Sequence, residues 1–133
     1  MKTRISLAVS FVAILAVAFA YGQGAGPVLG RVDVPFKFMA GKSEMPAGKY
    51  EFVRKTGEQF LSVRSLDNKA SARLIIVERI ARTEETPASH AKVVFNTVGD
   101  QKTLSEFWPA GTEDGYLVQV TKQEHKHEIV KEQ

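Results

Sequence analysis

The chain has 133 residues, of which 18 are Lys or Arg, 15 are Asp or Glu and none is Cys. This length suits one domain with one core, and the missing cysteines exclude disulfides and a lipid-modified N-terminal Cys. Two basic residues, Lys2 and Arg4, lie within residues 1–20, which contain no acid, so 16 basic residues remain against 15 acidic ones. That balance predicts no nucleic-acid partner.

The N-terminus is typical of a secretory signal peptide. Two basic residues precede an apolar run that ends in Ala18-Phe19-Ala20, with small residues where a signal peptidase cuts. The alternative, a transmembrane anchor, needs about 20 predominantly apolar residues. We therefore predict a signal helix over 1–20, a flexible leader over 21–29, and no stable membrane span after cleavage. A disulfide-free exported domain fits a bacterial envelope, which predicts a secreted or periplasmic location.

From Arg31 onward the apolar residues alternate with polar ones, which is typical of half-buried strands. In VDVPFKF, residues 32–38, Phe36 and Phe38 point to the predicted core, and Pro35 indicates an edge strand or a bulge. Two further strands, 49–54 and 59–65, flank a short turn and predict a hairpin.

Residues 70–81, ASARLIIVERIA, form the longest apolar segment after residue 20. Leu74 to Val77 are apolar on both faces, which predicts a central strand covered on both sides. The three-residue spacing of Leu74, Val77 and Ile80 leaves a helix as the alternative, which the β-branched residues disfavour.

The remaining predicted strands are 90–98, 102–108 and 116–121, separated by Gly- and Pro-marked turns. The sequence therefore predicts an all-β fold over residues 30–121. We expect a single antiparallel β-sandwich or a small β-barrel of about seven to eight strands.

Three segments, VDVPFKF (32–38), MPAGKYEF (45–52) and VVFNTVGDQKTLSEFWPAGTEDGYL (93–117), resemble a family of small exported bacterial proteins of uncharacterised function. That family is marked by a VPF-x-F strand and an LPAG-x-Y turn. Met45 stands where the family usually has Leu, a volume-conserving difference. The resemblance covers most of residues 31–120 and implies an all-β fold and export. It supplies no catalytic or ligand-binding residue.

A short run near the C-terminus, Glu124-His125-Lys126-His127-Glu128, contains residue types that bind zinc or copper. Because it lies in residues 122–133, which we predict to be a polar tail, His125 and His127 are weak metal candidates, and we predict no required metal or other cofactor. His90 could join them only if the tail folded over it. No nucleophile elbow, phosphate-binding loop or zinc-protease motif occurs, so the sequence predicts no enzyme.

The aromatic residues offer the remaining functional candidates. Phe107, Trp108 and Tyr116 are the predicted contacts for a ligand or partner, with Trp108 expected in an exposed loop beside Pro109. We predict a non-enzymatic protein-interaction or structural module of the cell envelope, because exposed edge strands can bind an added strand. The alternative is a carrier of a small apolar ligand in a barrel cavity.

Overall fold

The structure is a computed structural model that describes residues 26–82 and 89–132. The predicted signal peptide lies outside these residues, as does most of the predicted leader. The strands are β1 (Val28–Val34), β2 (Phe38–Ala40), β3 (Ser43–Met45), β4 (Gly48–Val53), β5 (Phe60–Ser65), β6 (Ser71–Ile75), β7 (Glu78–Ala81), β8 (Lys92–Val98), β9 (Gln101–Trp108), β10 (Asp114–Leu117) and β11 (Lys126–Lys131). No helix occurs in the described ranges, and none of their elements is a long apolar helix that could cross a bilayer.

The strands form two sheets. Sheet A has the order β1-β4-β5-β6, and sheet B has the order β11-β8-β9-β10-β7, with β2 paired to β9 and β3 paired to β2. Neighbouring strands are antiparallel except for one parallel bridge, between Met39 of β2 and Thr103 of β9. The all-β prediction is confirmed. The sheets do not close into a barrel, so the sandwich alternative describes the fold.

Two predicted strands are each divided at a corner between the sheets. The chain leaves sheet A after Val34 and enters sheet B at Phe38, because Pro35 cannot donate a ladder hydrogen bond. It changes sheet again after β6, where the Ile76 N–H donates to the carbonyl of Gln59, just before β5 of sheet A, and the Val77 N–H donates to the carbonyl of Leu117 in β10 of sheet B. These divisions help explain why the described chain has more strands than the seven to eight predicted.

Three further predictions about particular segments are wrong. Residues 70–81 are not a central strand, because β6 and β7 each lie at the edge of a sheet. Residues 122–133 are not only a polar tail, because β11 pairs with β8 and places Val130 against the core. The predicted leader extends too far, since β1 begins at Val28. The hairpin of β4 and β5 is confirmed.

The core between the sheets is built from aromatic rings. The Phe38 ring meets the Tyr50 and Phe95 rings edge-on, with ring centroids 5.2 Å apart in each pair. The Phe52 ring stacks on the Phe107 ring with centroids 4.3 Å apart. The period-two prediction is confirmed around Phe38, since Phe38 is buried while Lys37 is exposed, although Phe36 is only partly buried.

Tyr50 is a buried polar anchor within this core. Its Oη donates a hydrogen bond to the Pro46 carbonyl, which satisfies the hydroxyl. Burial raises the pKa of the Tyr50 phenol, and the nearby Asp67 carboxylate raises it further.

Candidate functional site

The three aromatic residues predicted as partner contacts do not form an exposed surface. Phe107 is fully buried. Tyr116 is also part of the core cluster, and its ring lies 5.5 Å from the Arg54 guanidinium and 5.7 Å from that of Arg79. Neither ring therefore presents a free face of the kind that the sequence analysis expected.

Trp108 is 8% exposed, so the prediction of an exposed loop aromatic is wrong. Its indole lies against the backbone of Gly115, where an added Cβ would come within 2.4 Å of the ring. The indole N–H donates to Glu106 Oε1 at 2.9 Å, and Lys92 Nζ lies 5.3 Å from the ring centroid. Gly115 makes the burial possible, because any side chain there would occupy the space of the indole.

The two weak metal candidates lie close together. The His125 and His127 rings meet edge-on with centroids 4.9 Å apart, and His125 Nδ1 is 2.7 Å from the Gln123 carbonyl oxygen. Among the residues that the structure describes, no group of three or more His, Cys, Asp or Glu side chains could hold a metal ion. The pair alone does not make a metal centre, since structural zinc needs four ligands.

A different feature, the open side of β6, has the properties of a binding site. Two bonds, from Ser65 N–H to the Ala70 carbonyl and from Ile76 N–H to the Gln59 carbonyl, each 2.9 Å long, show which residues of this strand face β5. Because bonding alternates along an antiparallel pair, the backbone groups of Ser71, Arg73 and Ile75 point away from β5. In the described part of the chain, no other strand pairs with β6 on that side.

The turn before β6 fixes this arrangement. Ser65 Oγ donates to Asp67 Oδ1 at 2.7 Å, and the Lys69 N–H donates to the same oxygen at 3.0 Å. These bonds lower the pKa of the Asp67 carboxyl, with the Ser65 hydroxyl as the main cause. Asn68 adopts a φ of 61°, which Asn tolerates better than most residues. The Ala70 N–H donates to Ser65 Oγ at 3.0 Å, so the polar side chains of the turn hold the start of β6 in register.

The side chains on this edge combine apolar surface with positive charge. Ile75 is 63% exposed and pairs across the strands with Phe60, which is 37% exposed. Val77, at the corner that follows β6, is 57% exposed. The Arg73 guanidinium lies 4.5 Å from the centre of the Phe60 ring and 3.7 Å from Glu58. We call the exposed side of β6, with Phe60 and Val77, the β6 edge.

The other sheet edges are shorter, partly covered or more charged. On β1 the Arg31 N–H, which points away from β4, donates to Glu132 Oε2 at 2.8 Å. β7 has only four residues and β3 only three. β11 carries Lys126 and Lys131 at its ends, and lysine discourages strand addition. The β6 edge therefore combines an open backbone with apolar side chains.

Sequence reasoning missed this edge because it treated residues 70–81 as one buried strand. The outward residues Arg73 and Glu78 were the available signal, since a strand covered on both faces seldom contains charges. Comparison of the chain with models of known protein families, with curated proteins and with solved structures finds no match.

Proposed function

We propose that this chain is an exported, non-enzymatic protein-interaction module of the cell envelope whose partner adds a strand to the β6 edge. The observation that carries the proposal is the open backbone of Ser71, Arg73 and Ile75 beside exposed apolar side chains. Strand addition uses such an edge, since backbone hydrogen bonds supply affinity and alternate side chains supply specificity. Exposed apolar residues that cluster in this way also favour contact with another protein.

The interior of the sandwich gives no support to the alternative of an apolar-ligand carrier. A carrier needs an apolar cavity large enough for its ligand. Between these two sheets the space is occupied by packed rings, including the Phe52 and Phe107 pair and the Phe38 and Phe95 contact. The edge is therefore the better candidate for function.

Export and the lack of catalysis rest on the sequence. The features of residues 1–20 favour secretion, and the resemblance to exported bacterial proteins stays a prediction that agrees with it. N-terminal sequencing of protein recovered outside the cytosol tests export. We expect the mature chain to begin at or just after Tyr21, and retention of Met1 would contradict secretion.

A photo-crosslinking residue placed in the full chain tests the interaction. We compare Ile75 with Ile129, because both are isoleucines on edge strands and they are 63% and 53% exposed. In cells that produce the protein, substitution at Ile75 should give a discrete adduct with another envelope protein, whereas substitution at Ile129 should not.

The Ser71→Pro variant supplies the backbone control. The Ser71 N–H points away from β5, so proline removes a donor needed by an added strand without removing a bond of the sheet. The adduct from position 75 should disappear in this variant. Equal adducts from both isoleucines, or an adduct that survives Ser71→Pro, would contradict binding at the β6 edge.

A further inference from the structure

The β6 edge also indicates which sequence an added strand should have. We propose that the partner contributes an antiparallel strand with an acidic side chain opposite Arg73 and an apolar side chain opposite Ile75. This inference rests on the proposed function, because it names the chemistry of the partner at the same site. It follows from the positions of the outward backbone groups and from the charges around them.

Backbone geometry fixes which partner side chains matter. In a hydrogen-bonded antiparallel pair, directly opposed residues point to the same face of the sheet, with Cβ atoms about 4.5–5.5 Å apart. Because the open backbone groups belong to Ser71, Arg73 and Ile75, the partner residues opposite these three lie on the outer face of sheet A. Only every second side chain of the partner strand therefore lies beside the exposed side chains of the β6 edge.

Charge favours an acid at the central position. Arg73 is exposed, and the ion pair that it forms with Glu58 is long, at 3.7 Å, which leaves guanidinium donors for a second carboxylate. On the neighbouring strands Arg64 and Arg31 both pair with Glu51. Counted with Arg73 and Glu58, three arginines stand against two glutamates around this outer face, so a basic partner residue opposite Arg73 would meet repulsion.

Apolar surface favours an aliphatic or aromatic residue at the second position. Ile75 and Phe60 form a cross-strand pair whose outer surfaces remain in contact with solvent. A partner side chain opposite Ile75 would extend this row and remove apolar surface from water. Acidic and apolar residues two positions apart therefore complement the edge.

A second copy of the chain fits the edge poorly. Full antiparallel overlap of two β6 strands, with hydrogen bonds through their outward residues, places Arg73 directly opposite Arg73 of the other copy. Like charges in direct opposition destabilise a strand pair. We therefore expect the isolated protein to form no dimer through β6, and a dimer joined there would overturn this inference.

Two synthetic peptides test the partner chemistry on the full chain. Both are soluble seven-residue strands that place Val opposite Ile75, and they differ only in Glu or Lys opposite Arg73. Binding is measured by NMR titration, which also reports which strand is contacted. We expect the Glu peptide to bind at β6 at least about threefold more tightly than the Lys peptide, because an exposed charge pair contributes modestly. The preference should reverse in Arg73→Glu.

Matched threonine variants test the apolar position. Ile75→Thr should weaken binding of the Glu peptide about threefold or more, whereas Ile129→Thr should leave it unchanged. Equal affinity for the two peptides, binding at another strand, or no binding at millimolar concentration would overturn the inference. The crosslinking comparison at position 75 would still decide the proposed function, so the two failures are distinguishable.

Discussion

Replacing Gly115 by Ala should displace the only tryptophan of the chain. The new Cβ would lie 2.4 Å from Cδ2 and 2.5 Å from Cε3 of Trp108. Carbon atoms in contact prefer about 3.5–4.0 Å, so the indole must move by more than about 1 Å. Overpacking of this kind costs roughly 1–3 kcal/mol, and loss of the bond to Glu106 adds about 0.5–1.5 kcal/mol. We expect a loss of about 2–4 kcal/mol in the free energy of unfolding.

Urea denaturation followed by circular dichroism measures this loss, and intrinsic fluorescence reports the position of Trp108 directly. The emission of the Gly115→Ala variant should shift to longer wavelength as the indole becomes hydrated. In a Trp108→Ala background the same glycine substitution should no longer destabilise the protein and should stabilise it slightly, since the clash is gone. Without a clash, alanine in a strand is more stable than glycine by roughly 0.5–1 kcal/mol. A stabilised Gly115→Ala protein with unchanged emission would therefore refute the packing of Trp108 on β10.

Three further predictions concern the core, the pH dependence and the histidine pair. Phe38→Ala should lower the free energy of unfolding by roughly 3–5 kcal/mol, because it removes a buried ring. Lys37→Ala, on the opposite face, should lower it by less than about 1 kcal/mol. Chemical denaturation measures both, and equal losses would contradict the period-two assignment. The raised pKa of Tyr50 gives a stabilising contribution that is complete below about pH 10 and is lost as the pH rises towards the pKa of the folded state. Tyr50→Phe should therefore unfold with a shallower alkaline pH dependence, and an unchanged slope would exclude Tyr50 as its source. Replacing His125 and His127 together by Ala should leave the thermal midpoint nearly unchanged with or without zinc, and sub-micromolar stoichiometric zinc binding that this variant abolishes would contradict the prediction.

Much of the fold could be predicted from the two-residue alternation of apolar side chains. It identified the buried face around Phe38 and the β4–β5 hairpin, because each pattern depends on local residues. It did not identify the corners. At Ile76 and Val77 successive N–H groups bond to different sheets, and an unbroken apolar run carries no local signal for that change.

The candidate site was less predictable because it depends on what is absent from one side of a strand. The sequence shows that Ile75 is apolar but does not show whether another strand covers it. Trp108 was misplaced for a related reason, since its burial depends on Gly115, seven residues later in the chain. At the C-terminus, β11 was missed because its pairing with β8 buries little more than Val130.

Residue-resolved amide hydrogen exchange tests the central claim most directly, because it reports which side of β6 is open. In the isolated protein we expect fast exchange at Ser71, Arg73 and Ile75 and slow exchange at Ala72 and Leu74, whose N–H groups face β5. Addition of the Glu peptide should slow exchange at the three outward amides alone. Equal protection of outward and inward amides in the isolated protein would show that this edge is already covered and would contradict the account.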